Sequence, residues 1–227
     1  ILSSFSRQDK RSSESGVKYF LFGSFASAIM LYGFSLLYGL TGATNLYAIA
    51  AFMGSESFTA SAAPVLVTMI LIVVGFGFKI SAAPFHFWTP DVYEGAPSPV
   101  TAFLSVASKA ASVALLMRFF TAVFPAGLSI GSVEIQSFWV NLMAAGAVLS
   151  MTIGNVLALS QKNLKRLLAY SSIAQAGYVL IGVAALQAGT AQSVASVAFY
   201  MFMYVFTNLL AFGVIILFSQ ITGSDDI

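Results

Sequence analysis

The 227-residue chain is 59% hydrophobic and only 8% charged, with a formal net charge of +2 and a mean hydropathy of +0.90. Soluble domains carry roughly 25% charged residues, so the composition excludes a soluble globular protein and indicates an integral membrane protein. So small a net charge gives no indication of nucleic-acid binding, and the basic residues gather instead in loops flanking the apolar stretches. The absence of cysteine excludes thiolate-held iron–sulfur clusters, disulfides and thiol catalysis within this chain.

The first residues, ILSSFSRQDKRSSESG, lack the basic-then-apolar order of a signal peptide. They read as the tail of an earlier helix entering a loop, which predicts that the chain is a piece of a longer one. A span needs about 20 mostly apolar residues, and six stretches qualify, at about 15–38, 64–88, 98–120, 137–160, 167–187 and 193–219. They predict an all-α, polytopic transmembrane helix bundle forming one membrane domain over residues 1–227.

The second stretch runs PVLVTMILIVVGFGF and then meets Lys79. Pro84 follows inside the same stretch. Proline lacks the amide hydrogen that would bond the carbonyl four residues back, and its ring clashes there. The carbonyl of Ile80 is thereby freed, one residue after Lys79, and Gly75 and Gly77 weaken the helix further. A broken helix at membrane depth persists only where protein buries it or where it lines a wet cavity. Lysine, freed carbonyl and break together favour the cavity. His86, two residues past Pro84, fits either a proton shuttle or a packed structural histidine. The segment TPDVYEGAP, residues 89–97, reads as a turn-rich loop. Its Asp91 and Glu94 fit helix caps or a point of proton uptake.

The third stretch holds Lys109 near its centre, about ten residues from either end, or roughly 15 Å at 1.5 Å per residue. A lysine at that depth costs roughly 2.5–3.5 kcal/mol on insertion scales and marks an ion path or relay. Beside it, Thr101, Ser105, Ser108 and Ser112 recur at helical spacing. The fifth stretch carries Ser171, Gln175 and Tyr178, and the sixth Tyr200, Tyr204 and Asn208. Each of those two stripes fits close helix packing as well as a polar path. The span centres contain no acidic residue, so a counter-charge for either lysine must come from elsewhere.

Loop charges test the count of six. With alternating sides, one face collects Arg7, Lys10, Arg11, Lys162, Lys165 and Arg166, with Lys18 just inside the first span. The other face has only Arg118. The positive-inside rule makes the basic face cytoplasmic, and one span more or fewer would split the clusters. Glu14, between Arg11 and Lys18, fits a carboxylate favoured by a helix N-terminus. Metal-ligand spacing, a nucleophile–base pair and a phosphate loop are all missing, and Gly75-Phe76-Gly77 lacks the context of a nucleotide fingerprint.

Three blocks carry a resemblance: GFGFKISAAPFHFWTPDVYEGAPSPVTAFLSVASKAA from Gly75 to Ala111, ESGVKYFLFGSFASA from Glu14 to Ala28, and NVLALSQKNLKRLLAYSSIAQAGYVLIG from Asn155 to Gly182. The chain resembles the antiporter-like subunit N of proton-pumping NADH:quinone oxidoreductase, respiratory complex I, called subunit 2 in mitochondria and plastids. The resemblance implies a fourteen-helix fold of two inverted repeats, with residues 1–120 ending the first and 137–227 opening the second. It implies that Lys79 is the lysine of the first broken helix, Lys109 the connecting lysine, His86 the histidine after the break and Glu14 the carboxylate opening the first span here. It likewise matches Lys165 and Arg166 to a basic pair opening a helix. Further implications are a glutamate partner for Lys79 upstream of Ile1 and an ionisable residue beyond Ile227. The expected role is proton translocation across the bacterial cytoplasmic membrane, with other membrane subunits of complex I, lipid, protons and internal water as partners. No cofactor is expected in this chain; the whole complex would use NADH, FMN, iron–sulfur clusters and quinone. A subunit of a multisubunit cation/proton antiporter and a purely structural membrane subunit are the competing readings.

Overall fold

The computed structural model describes residues 2–5, 9–188 and 191–226; Arg7 lies outside the described residues. Six helices are long and apolar enough to cross a membrane: Lys10–Thr41 (α1), Ala62–Ile80 (α3), Ser98–Val123, Ile135–Ala158 (α7), Leu164–Ala184 (α8) and Gln192–Thr222, the body of α9 (Ala191–Thr222). The third is composite. It begins as α5 (Ser98–Phe103), widens into one stretch of π-helix (Leu104–Ser108) and continues as α6 (Lys109–Val123). Among the short elements that escape the sequence reading are α2 (Leu46–Met53) and an antiparallel hairpin pairing Ser129–Ile130 with Val133–Glu134.

The second span ends earlier than expected. Helix α3 stops at Ile80, the residue whose carbonyl would have needed an amide hydrogen from Pro84. Ser81 then turns into the left-handed region at φ 62°, and no helix resumes until α4 (Trp88–Gly95). Residues 64–88 are therefore not one span. The segment 89–97 is not a loop either, because Pro90 falls in the first turn of α4, where a missing N–H costs nothing.

Several backbone groups at the break find protein partners, while Ser81 Oγ, His86 Nδ1 and Thr89 Oγ1 are buried without one among the described residues. Ala82 N bonds Gly77 O at 2.9 Å, Phe85 N bonds Ala82 O at 2.8 Å, and Ala83 N bonds Ser150 Oγ of α7 at 2.8 Å. The Trp88 indole donates to Phe78 O at 3.0 Å. The two cavities that border Pro84, of about 240 and 300 Å³, are walled mainly by apolar side chains such as Phe76, Leu116 and Met143 in one and Phe22, Phe25 and Trp88 in the other. The backbone at the break is thus held largely by protein contacts, and both neighbouring clefts are lined mainly by apolar side chains.

Helices α7 and α8 run in tight contact. A Cβ on Gly154 would sit 2.5 Å from Ala174 N, and one on Gly177 would sit 2.8 Å from Ala147 O. Small residues at such crossings let membrane helices approach closely. Around this pair the main core gathers Met69, Ile72, Leu116, Phe120, Phe124 and Trp139. A second cluster packs Phe78, Trp88, Tyr93, Phe212 and Ile215 around α4.

Candidate functional site: a buried lysine held by hydroxyls

Lys109 opens α6 immediately after the π-helical stretch and is 3% exposed. A π turn is wider than an α turn, so the buried line of this span runs Thr101, Ser105, Lys109, Val113 in steps of four. Ser108 and Ser112, which the expected stripe included, fall off that line and are only half-buried. The ammonium donates to the Ser172 carbonyl of α8 at 3.0 Å and also contacts Ser172 Oγ. Ser172 Oγ in turn lies 3.3 Å from the Tyr93 hydroxyl of α4 and 3.0 Å from the Tyr204 hydroxyl of α9. Four helices therefore meet at one serine oxygen. A small cavity of about 10 Å³ borders Lys109, Gln175 and Tyr204, with Ile80 and Val113 among its other walls, and its exposed lining is apolar. Gln175 Oε1 accepts from the Tyr200 hydroxyl. Among the described residues no carboxylate pairs with Lys109.

Sequence reasoning placed Tyr204 and Gln175 on polar stripes but missed Tyr93 and Ser172. Tyr93 is hidden by the misread loop. Once α4 is a helix, Asp91 and Glu94 share one side and Tyr93 points the other way. Ser172 differs from the expected Ser171 by a single 100° step, which the letters SS do not resolve. Tyr178, expected on the same stripe, is exposed and accepts from Asn155 Nδ2 at 3.3 Å.

The other expected site residues lie apart from this socket. Lys79 stands in the last turn of α3 and is exposed. Its Nζ lies 5.7 Å from the Tyr19 ring and 5.9 Å from the Phe78 ring, within cation–π range. It borders a cavity of about 380 Å³ that small residues of α1, Gly16, Gly23, Ser24 and Ser27, help to line. Among the described residues it has no ion-pair partner. His86 is buried in the break, stacked on Phe87 at 4.7 Å, and its Nδ1 has no partner among the described residues. Glu14 is 59% exposed and bonds Lys18 at 2.6 Å. Glu14, Lys79 and Lys109 border three different cavities.

The charged end of the bundle is a second centre. Lys18 bonds Asp91 at 2.6 Å, Arg11 bonds Glu94 at 3.2 Å, and Arg166 bridges Asp91 at 2.8 Å and Glu94 at 2.9 Å. Lys165, 7% exposed, pairs with Asp225 at 3.0 Å and reaches the Ala96 carbonyl at 3.3 Å. Segments before the first span, after the second, after the fourth and after the sixth thus meet in one network, as the loop-charge count requires. Asp91 and Glu94 of α4 act as ion-pair partners for two other helices, α1 and α8, and not as caps. Burial raises the Asp91 carboxyl, but the hydrogen bonds from Lys18 and Arg166 outweigh it and hold it below the ordinary carboxylate range.

Six helices long and apolar enough to cross a membrane, an interruption just after Lys79, and a lysine buried in the third span with no carboxylate partner among the described residues make up a polytopic membrane bundle. The chain belongs to the NADH:quinone oxidoreductase/Mrp antiporter transmembrane family, whose profile matches residues 1–227. It is 49% identical over its whole length to NADH-quinone oxidoreductase subunit N 2 of Chloroherpeton thalassium, of which it covers 43%. It is 50% identical to NAD(P)H-quinone oxidoreductase subunit 2 of Thermosynechococcus vestitus, covering 41%. Among solved structures, a chain of respiratory complex I from Thermus thermophilus with bound aureothin superposes with a TM-score of 0.69 and 37% identity, over 92% of this chain and 41% of that one. The chain thus spans about two-fifths of the length of the curated relatives it matches. It is a multi-pass membrane protein.

Proposed function

We propose that this chain is a stretch of a proton-translocating subunit of NADH:quinone oxidoreductase, seated in a bacterial cytoplasmic membrane with its charged end in the cytoplasm. The observation that carries the reading is Lys109: an amine buried among four helices, held by hydroxyl and carbonyl oxygens and by no carboxylate. A buried lysine paired to an acid is locked in its charged form, whereas one held by neutral dipoles can bind and release a proton. Electron transfer to quinone takes place in other subunits, and the resulting charge changes drive protonation and release here. Lys79 is the second amine of the path. Its exposed groove of small residues suits an additional helix bringing a carboxylate, as the resemblance implies. Residues 1–120 and 137–227 would then belong to successive inverted repeats, with α9 and α8 bringing the second repeat against the first at Ser172.

The test is proton pumping in membrane vesicles carrying the assembled complex. Lys109→Ala abolishes pumping through this subunit while NADH–quinone electron transfer persists at a reduced rate. Full pumping with full electron transfer in that variant sinks the reading. A subunit of a multisubunit cation/proton antiporter shares the family profile. The quinone-oxidoreductase names of the relatives, about 50% identical over the whole chain, support the first reading. Purification of the native complex without a redox arm would favour the antiporter. Unchanged proton flux after removing both lysines would favour a structural subunit.

A further inference from the structure

From Ser81 to Phe85 the backbone amides at the break can be accounted for one by one. Ser81 N donates to Phe78 O at 3.1 Å, Ala82 N to Gly77 O at 2.9 Å and Phe85 N to Ala82 O at 2.8 Å. Pro84 has no N–H. The remaining amide, Ala83 N, donates at 2.8 Å to Ser150 Oγ of α7. Both residues are buried, Ala83 at 2% and Ser150 at 0% exposure. An amide at membrane depth has no water to turn to, and among the described residues this hydroxyl is its one acceptor.

The same stripe of α7 carries two glycines that set where the contact falls. One turn before Ser150, a Cβ on Gly146 would lie 3.8 Å from Ala83 O. One turn after it, a Cβ on Gly154 would lie 2.5 Å from Ala174 N of α8. Ala174 is two residues beyond Ser172, whose carbonyl accepts from Lys109 at 3.0 Å. Residues four apart lie on one helix face, so α7 meets the break with Gly146 and Ser150 and meets the helix that holds Lys109 with Gly154. Lys79 stands four residues before Ala83, and His86 three after it.

We propose that Ser150 is a positioning residue for proton translocation: by accepting the Ala83 amide it holds the turn between Lys79 and His86 at a set place relative to α8 and its bond to Lys109. It touches neither amine and carries no proton. This inference rests on the proton-translocation reading above.

The experiment uses the assembled complex. Membrane vesicles give protons pumped per electron pair, and amide hydrogen exchange, followed by mass spectrometry on fragments covering residues 81–88, reads the Ala83 bond. Three variants separate hydrogen bonding from packing. Ser150→Ala removes the oxygen. Ser150→Cys nearly keeps the volume but offers only a weak acceptor. Ser150→Thr keeps the hydroxyl and adds a methyl.

In Ser150→Ala and Ser150→Cys, exchange over residues 81–88 becomes about tenfold faster, the size expected for leaving one buried donor unpaired. Exchange over α9 stays unchanged, and fewer protons are pumped per electron pair. Ser150→Thr retains both the slow exchange and the pumping. A role in packing alone predicts the opposite order, with Ser150→Cys intact and Ser150→Thr impaired, and that result overturns the inference. So does faster exchange with full pumping, or lost pumping with unchanged exchange. Should Ser150→Ala misassemble, Ser150→Cys decides, since it replaces one atom at nearly constant shape. Full pumping with unchanged exchange in both, and pumping lost in Lys109→Ala, overturns this inference and leaves the functional reading standing. Full pumping in Lys109→Ala overturns the functional reading itself.

Discussion

The two charged centres of this protein use the same kinds of side chain under opposite conditions. At the charged end, Lys18, Lys165, Arg11 and Arg166 each meet a carboxylate. In the socket, Lys109 meets a serine, a carbonyl and, one bond further, two phenols. The first arrangement neutralises its cations with anions and fixes helices to one another. The second surrounds its amine with neutral oxygens, with no carboxylate beside it among the described residues. A membrane protein can hold charge for good or hold it provisionally, and the partner chemistry decides which. Helix α4 separates the two, with Asp91 and Glu94 on one side and Tyr93 on the other.

Four substitutions or conditions sharpen this contrast, beginning with the largest expected effect. Gly154→Ala drives a methyl into the backbone of α8 at Ala174, two residues from Ser172. It should cost about 1–3 kcal/mol of stability and disturb the socket, read as a lowered melting temperature of the purified complex together with slower pumping. An unchanged melting temperature would show that the α7–α8 crossing yields without cost. Arg166→Ala removes the bridge between Asp91 and Glu94 and leaves two half-buried carboxylates short of a donor. A loss of about 1–3 kcal/mol is expected, with pumping per electron pair retained in the complexes that assemble. If pumping fails while stability is unchanged, the two centres are not separable as described.

The third uses acid. The Asp91 carboxyl titrates lower in the folded protein than in an unfolded chain, so its stabilising contribution is complete above the unfolded value of about 3.9 and is lost as pH falls through the folded one. The melting-temperature gap between the unsubstituted complex and Asp91→Asn should therefore hold steady from neutral pH down to about 5, then narrow below about 4. A gap that widens with acid would reverse the assigned sign. The smallest effect belongs to Glu14→Gln. An exposed carboxylate four residues from its lysine contributes about 0.3–0.5 kcal/mol, so thermal stability should hardly move. Any large fall in pumping would then mark Glu14 as part of the path and not of the framework.

Much of the fold is legible in the letters because length and charge leave few choices. Six apolar runs give six spans, and basic residues sorted to one face fix their alternation, which the ion-pair network then realises in space. The break is legible for the same reason: Pro84 lacks a donor, and α3 ends four residues earlier at Ile80. Legibility fails where local signals conflict. Pro90 and Gly95 look like loop punctuation, yet a proline in the first turn and a glycine in the last suit the short helix α4. The site is half legible. Lys109 announces itself by its depth, but Ser172 and Tyr93 depend on helix rotation and on the π-helical register, which periodicity in one helix does not reveal. The sequence reading joins Lys79 and Lys109 in one path; within this chain their cavities share no lining residue.

The early stop of α3 has one more consequence. A helix carries roughly half a negative charge at its C-terminal end, spread over carbonyls that no later turn satisfies. Ile80 closes α3 and also walls the cavity beside Lys109. The end of α3 and the lysine of the next span thus border one small space, although the ammonium itself is turned to Ser172 of α8. Unlike an aspartate or glutamate, a helix terminus carries a partial charge that does not change with pH.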